Sequence, residues 1–449
     1  MARLPPGPPL PAALQTALML RWWSAFAIAC RRRYGEVFTV RLAGYGAGVY
    51  LSNPEHIKTV FAGDPRTYHA GEANSVLKGI LGPSSVLVID EDVHRDRRRL
   101  MLAPFHRDAV ARQADLIAEI AAANIAGWPV GAEFAVAPKM SEITLEVILR
   151  SAIGASDPRR LAALRALMPR LLTLGYVDTI AIARPGLQRR WPWRGLGRRV
   201  AEADELLYAE IAERRADPDL AARTDALSML VRAGDEDGRR MTDAELRDQL
   251  MTLLLAGHDT TATALSWTLE RLTRHPEVLA RAVAAAESGD EEYLDAVARE
   301  TLRIRPVVFD VGRVLKEPVE IAGYRLPAGV TVIPAIGLVH ADAAVYDDPG
   351  QFRPERMLAG GGHALTPTTW LPFGGGNRRC LGANLALAEM RIVLGEVLRR
   401  VELSPTTAPG ERPRVSGVIQ QPHRGARIRV RSRVPAPTLR AAPSRGTAG

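Results

Sequence analysis

The amino-acid sequence predicts a mainly α-helical fold with minor β-sheets, arranged as a single large domain. Residues 107–175 and 197–232 are rich in Ala, Leu and Arg and have a helical period. Residues 242–274 predict one unusually long helix, about 48 Å at 1.5 Å per residue. Strand patterns are short, with a Gly-punctuated cluster at 319–334 and a last strand at 428–430.

The first sixty residues predict an irregular N-terminal segment, a helix and two strands. Residues 1–20 are expected to be an irregular, Pro-rich lead, and a helix is expected at about 21–33. The peptides EVFTVRL and GVYLS alternate apolar and polar side chains around a Gly-rich turn, which predicts two strands. Asn53 followed by Pro54 is typical of a helix N-terminus.

The long helix has a polar interruption at its centre. Thr242 and Glu245 form a capping box at its start, and the stretch QLMTLLLAG is apolar on nearly every face, which predicts burial on all sides. The apolar run then ends in Gly257, His258, Asp259, Thr260 and Thr261. Buried polar groups are costly unless they find partners. We therefore expect a local kink here that faces a cavity.

The net charge of +9 comes from residues 412–449 at the C-terminal end. Nine Arg and no acidic residue lie between 412 and 449, so 50 of the 59 basic side chains remain in residues 1–411, against all 50 acidic ones. A neutral body does not support a nucleic-acid groove, and no nucleic-acid partner is expected. Residues 434–449 predict a disordered basic tail, which leaves 21–433 as the folded domain.

No segment of the sequence predicts a membrane span. The apolar runs 12–20 and 22–30 are split by Arg21, and each is far shorter than the ~20 residues that a span needs. The Pro-rich start is unlike the apolar region of a signal peptide. The two cysteines, Cys30 and Cys380, are too few for a disulfide framework or a four-cysteine zinc site. A reducing, cytoplasmic location is therefore expected.

One of the cysteines lies in a loop that suits a reactive thiolate. The segment LPFGGGNRRCLG precedes a predicted helix, so Cys380 lies at a helix N-terminus, where partial positive charge favours a thiolate over a thiol. The glycine triplet allows the backbone to turn tightly and to approach a flat ligand. Gly382 allows the start of the helix to pack against that ligand, and Arg378 supplies a cation for an acidic group nearby.

This loop resembles the cysteine signature of the cytochrome P450 superfamily, Phe-x-x-Gly-x-Arg/His-x-Cys-x-Gly. The matching residues are Phe373, Gly376, Arg378, Cys380 and Gly382. The resemblance implies a cytochrome P450 fold in which haem b (iron protoporphyrin IX) lies between the long central helix and the helix after the cysteine loop. It also implies that Cys380 is the axial iron ligand and that the other four residues contact the haem. The alternative is an inert buried cysteine beside a Gly-rich turn, and the companion motifs argue against it.

The polar interruption AGHDTT resembles the oxygen-activation segment of the same family. By that resemblance, Asp259 and Thr260 are a catalytic acid–alcohol pair that supplies protons during O₂ activation. Ala256 and Gly257 would lie against the haem, where the helix opens to admit O₂. The alternative is a polar patch on a helix surface, but the buried centre of a long helix favours the functional interpretation.

Two further segments resemble a structural network of the family. Glu300 and Arg303 in RETLRIRP lie three residues apart on one helix face, and Arg356 in FRPERML matches the third member. The resemblance implies that this network holds the cysteine loop under the haem. Taken alone, a Glu-x-x-Arg pair is usually solvated and contributes little to stability.

The peptide HRDRRRL carries His94 and Arg98 on one helix face at i, i+4. The resemblance implies that both pair with haem propionates, together with Arg313 and Arg378. Arginine suits carboxylates through its paired N–H donors. The alternative is an ordinary exposed basic helix face, which we keep as the interpretation for the neighbouring arginines of the same peptide.

The resemblance, which is greatest to bacterial soluble members, implies a haem-thiolate monooxygenase. Such an enzyme inserts one oxygen atom of O₂ into a lipophilic small molecule, by hydroxylation or epoxidation. Family analogy lines the substrate pocket with the 69–90 loop, the 165–195 segment, the helix face near Ala256, the 307–311 stretch and the 415–420 turn. These segments are largely apolar, which favours a lipophilic substrate.

Electrons are expected to come from NAD(P)H through a separate ferredoxin and ferredoxin reductase. About fifty residues follow the cysteine helix, too few for a redox domain beside a disordered tail. An acidic ferredoxin could dock where Arg97, Arg99 and Arg379 cluster, and the enzyme is expected to be a monomer. Trp191 and Trp193, which lie among arginines, predict either an entrance that touches a membrane surface or an ordinary loop with two half-buried tryptophans.

Two other functions stay open at this point. A haem-thiolate peroxygenase or isomerase usually alters the acid–alcohol pair, which is intact here as Asp259 and Thr260. A non-catalytic haem sensor or ligand sink would need neither a proton relay nor a docking face for a reductant.

Overall fold

The computed structural model describes residues 4–155, 157–172, 186, 190–191, 193–234, 238–360 and 365–435. The helices in these ranges are α1 Ala12–Tyr34, α2 Pro54–Ala62, α3 Ala70–Ala73, α4 Lys78–Leu81, α5 Glu91–Met101, α6 Arg107–Ala111, α7 Ala114–Ile125, α8 Ala137–Ile148, α9 Pro158–Leu172, α10 Arg194–Ala216, α11 Ala226–Arg232, α12 Asp243–Leu272, α13 Pro276–Ser288, α14 Glu291–Ile304, α15 Ile336–His340 and α16 Ala383–Arg400. The predicted mainly α fold is confirmed.

The strands are short and form small sheets. They are β1 Val37–Leu42, β2 Gly46–Leu51, β3 Tyr68–His69, β4 Glu133–Ala135, β5 Arg313–Leu315, β6 Val319–Ile321, β7 Tyr324–Leu326, β8 Thr331–Pro334, β9 Val401–Leu403, β10 Pro413–Ser416, β11 Ile419–Pro422 and β12 Arg427–Arg433. One sheet has the order β1-β2-β8-β5-β3, and another has the order β4-β12-β9. Two hairpins, β6-β7 and β10-β11, complete the set in the described ranges. The parallel pairing of β2 with β8 joins the N-terminal hairpin to a strand more than two hundred residues later.

The N-terminal segment differs from the prediction. Helix α1 begins at Ala12 rather than Arg21, so residues 12–20 are helical rather than irregular, with a break at Trp22 (φ −142°, ψ 45°). Even the Pro-rich lead belongs to the fold, because the Thr39 backbone N–H donates to the carbonyl of Pro6 at 2.9 Å. The early start was hidden because no side chain caps the helix and because its outer face is apolar.

The other local predictions near the N-terminus are confirmed. The two strands pair antiparallel, with Val37 opposite Leu51. The Asn53 side chain accepts a hydrogen bond from the Glu55 backbone N–H at 2.9 Å, and Pro54 is the first helical residue. The predicted helical region 107–175 is interrupted by β4, and a π-helical turn at Leu149–Ile153 follows α8.

The long helix α12 is confirmed with its capping box. The Glu245 backbone N–H donates to Thr242 Oγ1 at 3.2 Å, and the Thr242 backbone N–H donates to Glu245 Oε2 at 2.9 Å. The helix continues without interruption from Asp243 to Leu272, so the polar residues do not break it, and the kink stays a prediction. The hydroxyls of Thr260 and Thr261 donate to carbonyls one turn earlier, at 2.8 and 3.2 Å, so these polar groups find partners without a break in the helix.

Helix α12 lies at the centre of the core. Its residues 246–255 are all buried, and the helix packs against α8, α10, α14 and α16. Burial on every face agrees with its continuous apolar sequence. None of the helices in the described ranges is both long enough and apolar enough to cross a bilayer.

Candidate active site

A cavity of about 340 Å³ separates α12 from the loop before α16. This volume lies within the range of small-molecule pockets. The cavity explains an unusual exposure pattern on the helix, where Ala256 is exposed and Gly257 and Thr260 are half-exposed although the surrounding turns are buried. The polar interruption predicted to face a cavity therefore does so at Thr260.

The cysteine loop forms the opposite wall. The Cys380 backbone N–H donates to the Phe373 carbonyl at 2.9 Å, which closes the loop on itself. Gly374 and Gly376 have φ of +66° and +63°, a region that favours glycine. A Cβ on Gly376 would lie 1.8 Å from the carbonyl oxygen of Phe61. The cavity is lined by Phe373, Cys380 and Gly382 but not by Gly376. Gly376 therefore forms the turn of the loop and does not make the predicted ligand contact.

The ionisation of Cys380 depends on opposing effects. Its residue surface is exposed, but only to the internal cavity, and burial raises the pKa of the thiol. The Gly382 backbone N–H and the charges of Arg98 and Arg379 lower the pKa in part. The start of the helix therefore favours the thiolate as predicted, through the Gly382 N–H, but in the protein by itself the effect of burial is larger. A coordinated metal ion would deprotonate the thiol outright.

A cationic group occupies one end of the same cavity. His94, Arg98, Arg313 and Arg378 all line it. Burial, followed by the charges of Arg378, Arg98 and Arg313, lowers the pKa of His94 to about 3. Burial also lowers the pKa of Arg313 and of Arg378 to about 10. His94 is therefore neutral at neutral pH, and it lies among three mutually repelling guanidinium groups.

This group has more cations than anions. Arg378 Nη2 donates to Asp90 Oδ1 at 2.6 Å, and Asp90 is the only carboxylate that pairs with any of the four in the described part of the chain. Arg98 has no hydrogen-bond acceptor among the described residues. Buried cations of one sign require compensating charge. The site therefore fits a ligand with carboxylates at one end and a metal near Cys380, which is the donor set that a haem needs.

The predicted structural network is present and fully buried. Arg303 donates to both Glu300 oxygens at 2.7 and 2.8 Å, and Arg356 Nε donates to Glu300 Oε1 at 3.0 Å. All three side chains have 0% exposure, so the alternative of a solvated pair is wrong. The network reaches the cysteine loop through His340, whose carbonyl accepts from Arg303 at 2.8 Å. His340 Nε2 in turn accepts from the Leu371 backbone N–H at 2.9 Å.

His340 was missed in the sequence, although a lone histidine in the apolar stretch IPAIGLVH was a usable signal. Burial, and then the charge of Arg303, lowers its pKa to about 3. The ring is therefore neutral, which allows Nε2 to accept the Leu371 hydrogen bond. His340 thus connects the ion pairs of α14 to the first residue of the cysteine loop.

The predicted acid–alcohol pair is split between two cavities. Asp259 does not line the Cys380 cavity but a second, more polar cavity of about 620 Å³, bounded by α8, α9 and the β10-β11 hairpin. There Gln421 Nε2 donates to Asp259 Oδ1 at 3.2 Å. Burial raises the pKa of Asp259, while His258 and Gln421 partly offset this. Gln421 was missed because it lies 162 residues away in sequence and belongs to no motif.

Only some of the other segments predicted to line the substrate pocket do so. The 69–90 loop and the 307–311 stretch line the Cys380 cavity as expected. Within the described residues, neither the 415–420 turn nor the 165–195 segment contributes to the lining, and residues 173–185 lie outside the description. Arg165 lines the second cavity instead.

Arg97 differs from its predicted exposed position. It is buried and forms an ion pair with Glu245, so it is not available at the surface for a partner. Arg99 and Arg379 are exposed. Trp191 is 78% exposed, and Trp193 is half-buried against the core, while other residues of that loop lie outside the description.

Comparison with known proteins agrees with this geometry. The family model described as Cytochrome P450 matches residues 5–427. Cytochrome P450 135B1 of Mycobacterium tuberculosis is 70% identical over 435 residues, which cover 96% of this chain and 92% of the relative. Cytochrome P450 135A1 of the same species is 43% identical over 429 residues, 95% of each chain.

Two solved structures share the fold. Cyanobacterial CYP120A1 with bound retinoic acid aligns with a TM-score of 0.83 at 24% identity, over 97% of this chain and 100% of that chain. The haem domain of cytochrome P450DA aligns with a TM-score of 0.81 at 24% identity, over 96% and 98%. The family match over most of the chain, together with the 70% identical relative, shows that this chain belongs to the cytochrome P450 family of haem-dependent monooxygenases.

Proposed function

We propose that this protein binds haem b through the thiolate of Cys380 and inserts one atom of O₂ into a lipophilic small molecule. One observation carries the proposal. A single cavity brings together the thiol of Cys380, a cationic group with too few anions, and the hydroxyl of Thr260. A sensor would need the first two features, but it would not need a hydroxyl opposite the thiol.

The cationic group would hold the haem propionates. Arg98, Arg313 and Arg378 supply the charge, and their planar N–H donors match carboxylates. Neutral His94 can donate a hydrogen bond without adding to the repulsion. Phe373 and Gly382 would contact the haem from the cysteine side, and the backbone of α12 at Ala256 and Gly257 would contact it from the opposite side.

When bound, the haem supplies the activation of O₂, with the thiolate ligand favouring O–O cleavage. The remaining roles belong to protein side chains. Thr260 Oγ1 donates its hydrogen to the Ala256 carbonyl, which leaves its oxygen able to accept a hydrogen bond inside the cavity. Asp259 would take a proton from the polar cavity and pass it around the helix towards Thr260, since burial raises the pKa of the carboxyl.

A lipophilic substrate fits the rest of the cavity wall. The side chains that line the cavity away from the cysteine loop and the cationic group are mainly apolar. They include Val86, Leu87, Leu253, Val307 and Val308. Apolar walls with a few polar groups are typical of sites for lipophilic ligands. Asn74 and Thr252 are polar members of the same lining and would orient a substrate that carries a hydroxyl or carbonyl.

The electron donors would be NAD(P)H, a ferredoxin reductase and a ferredoxin. Arg99 is exposed on the α5 helix that carries Arg98. Arg379 is exposed beside Cys380 in sequence and also lines the Cys380 cavity. Opposite charge steers association, so an acidic ferredoxin suits this face. Arg97 is not part of this docking surface because it is buried and pairs with Glu245. We also propose that the enzyme is a monomer located in the cytoplasm.

The test is turnover under ¹⁸O₂ with a surrogate ferredoxin, its reductase and NADPH, against a library of lipophilic compounds. The proposal predicts a product with one ¹⁸O atom for a compound that also shifts the haem spin state. Product labelled only when H₂¹⁸O₂ replaces the reductant would favour a peroxygenase. Spin-shifting ligands that are never oxidised by either route would favour a sensor.

A further inference from the structure

The N-terminal half of α1 exposes its apolar face. Ala13, Leu14, Ala17 and Leu20 are exposed, whereas Gln15 on the opposite face is fully buried. The Gln15 side chain bonds to the carbonyls of Pro8 and Leu10 and to the Arg41 backbone. A surface helix normally has the reverse arrangement, with polar residues outside. The exposed apolar face of α1 is therefore unusual.

Neighbouring turns extend this face. Tyr45 at the β1-β2 turn is 64% exposed, and the Ala43 backbone N–H in that turn donates to Thr16 Oγ1 on α1 at 2.9 Å. Val418 at the β10-β11 turn is 52% exposed, and β10 packs against α1. The break in α1 leaves Trp22 exposed as well. We call this set the apolar patch: Leu14, Leu20, Trp22, Tyr45 and Val418.

The charges on the same elements have one sign. Residues 4–35 and 412–434 contain no Asp or Glu. Arg21, Arg41 and Arg414 are exposed, and the Arg21 guanidinium lies 5.1 Å from the ring of Trp22. An apolar surface with aromatic side chains and only basic charges is the combination that binds anionic lipid. We propose that the apolar patch docks this protein on the surface of an anionic bilayer, without crossing it.

A bilayer suits this surface better than a second copy of the chain. A two-fold contact places the same patch on both partners, so it would bring Arg21, Arg41 and Arg414 of each copy together. Anionic headgroups instead neutralise these arginines while Leu14, Leu20 and Trp22 enter the headgroup region. The inference rests on the exposed surface alone and is independent of the catalytic roles proposed above.

The test is co-sedimentation of the full-length holoprotein with vesicles. One set is phosphatidylcholine alone, and the other contains phosphatidylglycerol. We expect binding to the phosphatidylglycerol vesicles that weakens at high salt. The variant L14S/L20S/W22S should bind at least about tenfold more weakly. The control V93S/L102S/V130S removes large exposed apolar side chains outside the patch, and it should bind as the wild type does.

A labelling experiment keeps the proposal falsifiable if the triple variant folds poorly. Leu14→Cys can carry an environment-sensitive dye because native Cys30 is buried and Cys380 faces the internal cavity. Its emission should shift to the blue with phosphatidylglycerol vesicles, and that of a dye on Val130→Cys should not. Absence of wild-type binding to either vesicle, equal loss in the control variant, or patch-dependent dimers without vesicle binding would each overturn the proposal.

Discussion

Asp259 and Thr260 are adjacent in sequence, yet their side chains line different cavities. Thr260 lines the cavity of Cys380, whereas Asp259 lines the polar cavity on another face of α12 and accepts a hydrogen bond from Gln421. A proton that enters at Asp259 must therefore pass around the helix to reach Thr260, by a rotation of the carboxyl away from Gln421 or through water.

Thr260→Ala should uncouple electron consumption from product formation. The substitution removes the hydroxyl from the cavity but leaves Cys380 and the cationic group unchanged, so the haem spectrum should be retained. Product formed per NADPH should fall about 10²-fold, the lower end of the usual contribution of a side chain that takes part in proton transfer. The measurement is product against NADPH oxidised.

Thr268→Ala is the matched control for this experiment. Thr268 also donates its hydroxyl to a carbonyl one turn earlier, at 2.9 Å, but it lines neither cavity. The control should form as much product per NADPH oxidised as the wild type does. Equal coupling in wild type and Thr260→Ala would remove Thr260 from the mechanism.

Arg98→Gln should weaken haem retention. Arg98 lies in the Cys380 cavity with no acceptor among the described residues, so we assign its donors to a propionate. Loss of a charge-assisted hydrogen bond should make haem transfer to apomyoglobin roughly 10- to 100-fold faster. Arg95→Gln on the exposed side of the same helix should not change the rate, because Arg95 pairs with Asp92 at the surface. Similar rates in all three proteins would contradict the assignment.

Arg356→Met should strongly destabilise the fold. Its removal leaves Glu300 buried with Arg303 as its one remaining ion-pair partner in the described residues, and breaking a buried network of this kind costs about 3–5 kcal/mol. Urea unfolding measures the change in the free energy of unfolding. Arg431→Met removes an exposed pair with Glu402 and should leave stability unchanged. A small effect for both variants would mean that the network does not hold the fold.

His340 should make stability pH-dependent in the acid range. Its pKa is about 3 in the folded state and near 6.5 when unfolded, so the unfolded state binds more protons between these values. The contribution of His340 to the free energy of unfolding is therefore fully present above about pH 6.5. It is lost as the pH falls towards 3, by up to about 1.4 kcal/mol per pH unit. The variant His340→Asn should take up one proton fewer on unfolding between pH 3 and pH 6.5, so its free energy of unfolding should depend less steeply on pH. Identical slopes would show that His340 does not titrate as inferred.

Motifs carried by contiguous residues were predictable from the sequence. The cysteine loop, the capping box of α12 and the Glu300–Arg303 pair each depend on neighbours within a few residues, so their spacing is visible in the chain. The sequence also places Thr260 correctly at a cavity. A local pattern specifies local geometry, and the structure confirms these cases.

Long-range partners were not predictable in the same way. Gln421 meets Asp259 across 162 residues, and Glu245 buries Arg97 across 148. Nothing in the basic peptide HRDRRRL distinguishes the buried arginine from its exposed neighbours. The early start of α1 was missed for a related reason, because the amphipathic period that marks a surface helix is absent where the outer face is apolar.

The central claim is that Cys380 is the thiolate ligand of a haem iron. The difference spectrum of the reduced, CO-bound protein minus the reduced protein tests it most directly, with Cys380→Ser measured beside the wild type. The account predicts the strongly red-shifted Soret band of thiolate-ligated haem in the wild type and its absence in the variant. A wild-type spectrum typical of imidazole ligation, or the same shifted band in Cys380→Ser, would contradict it.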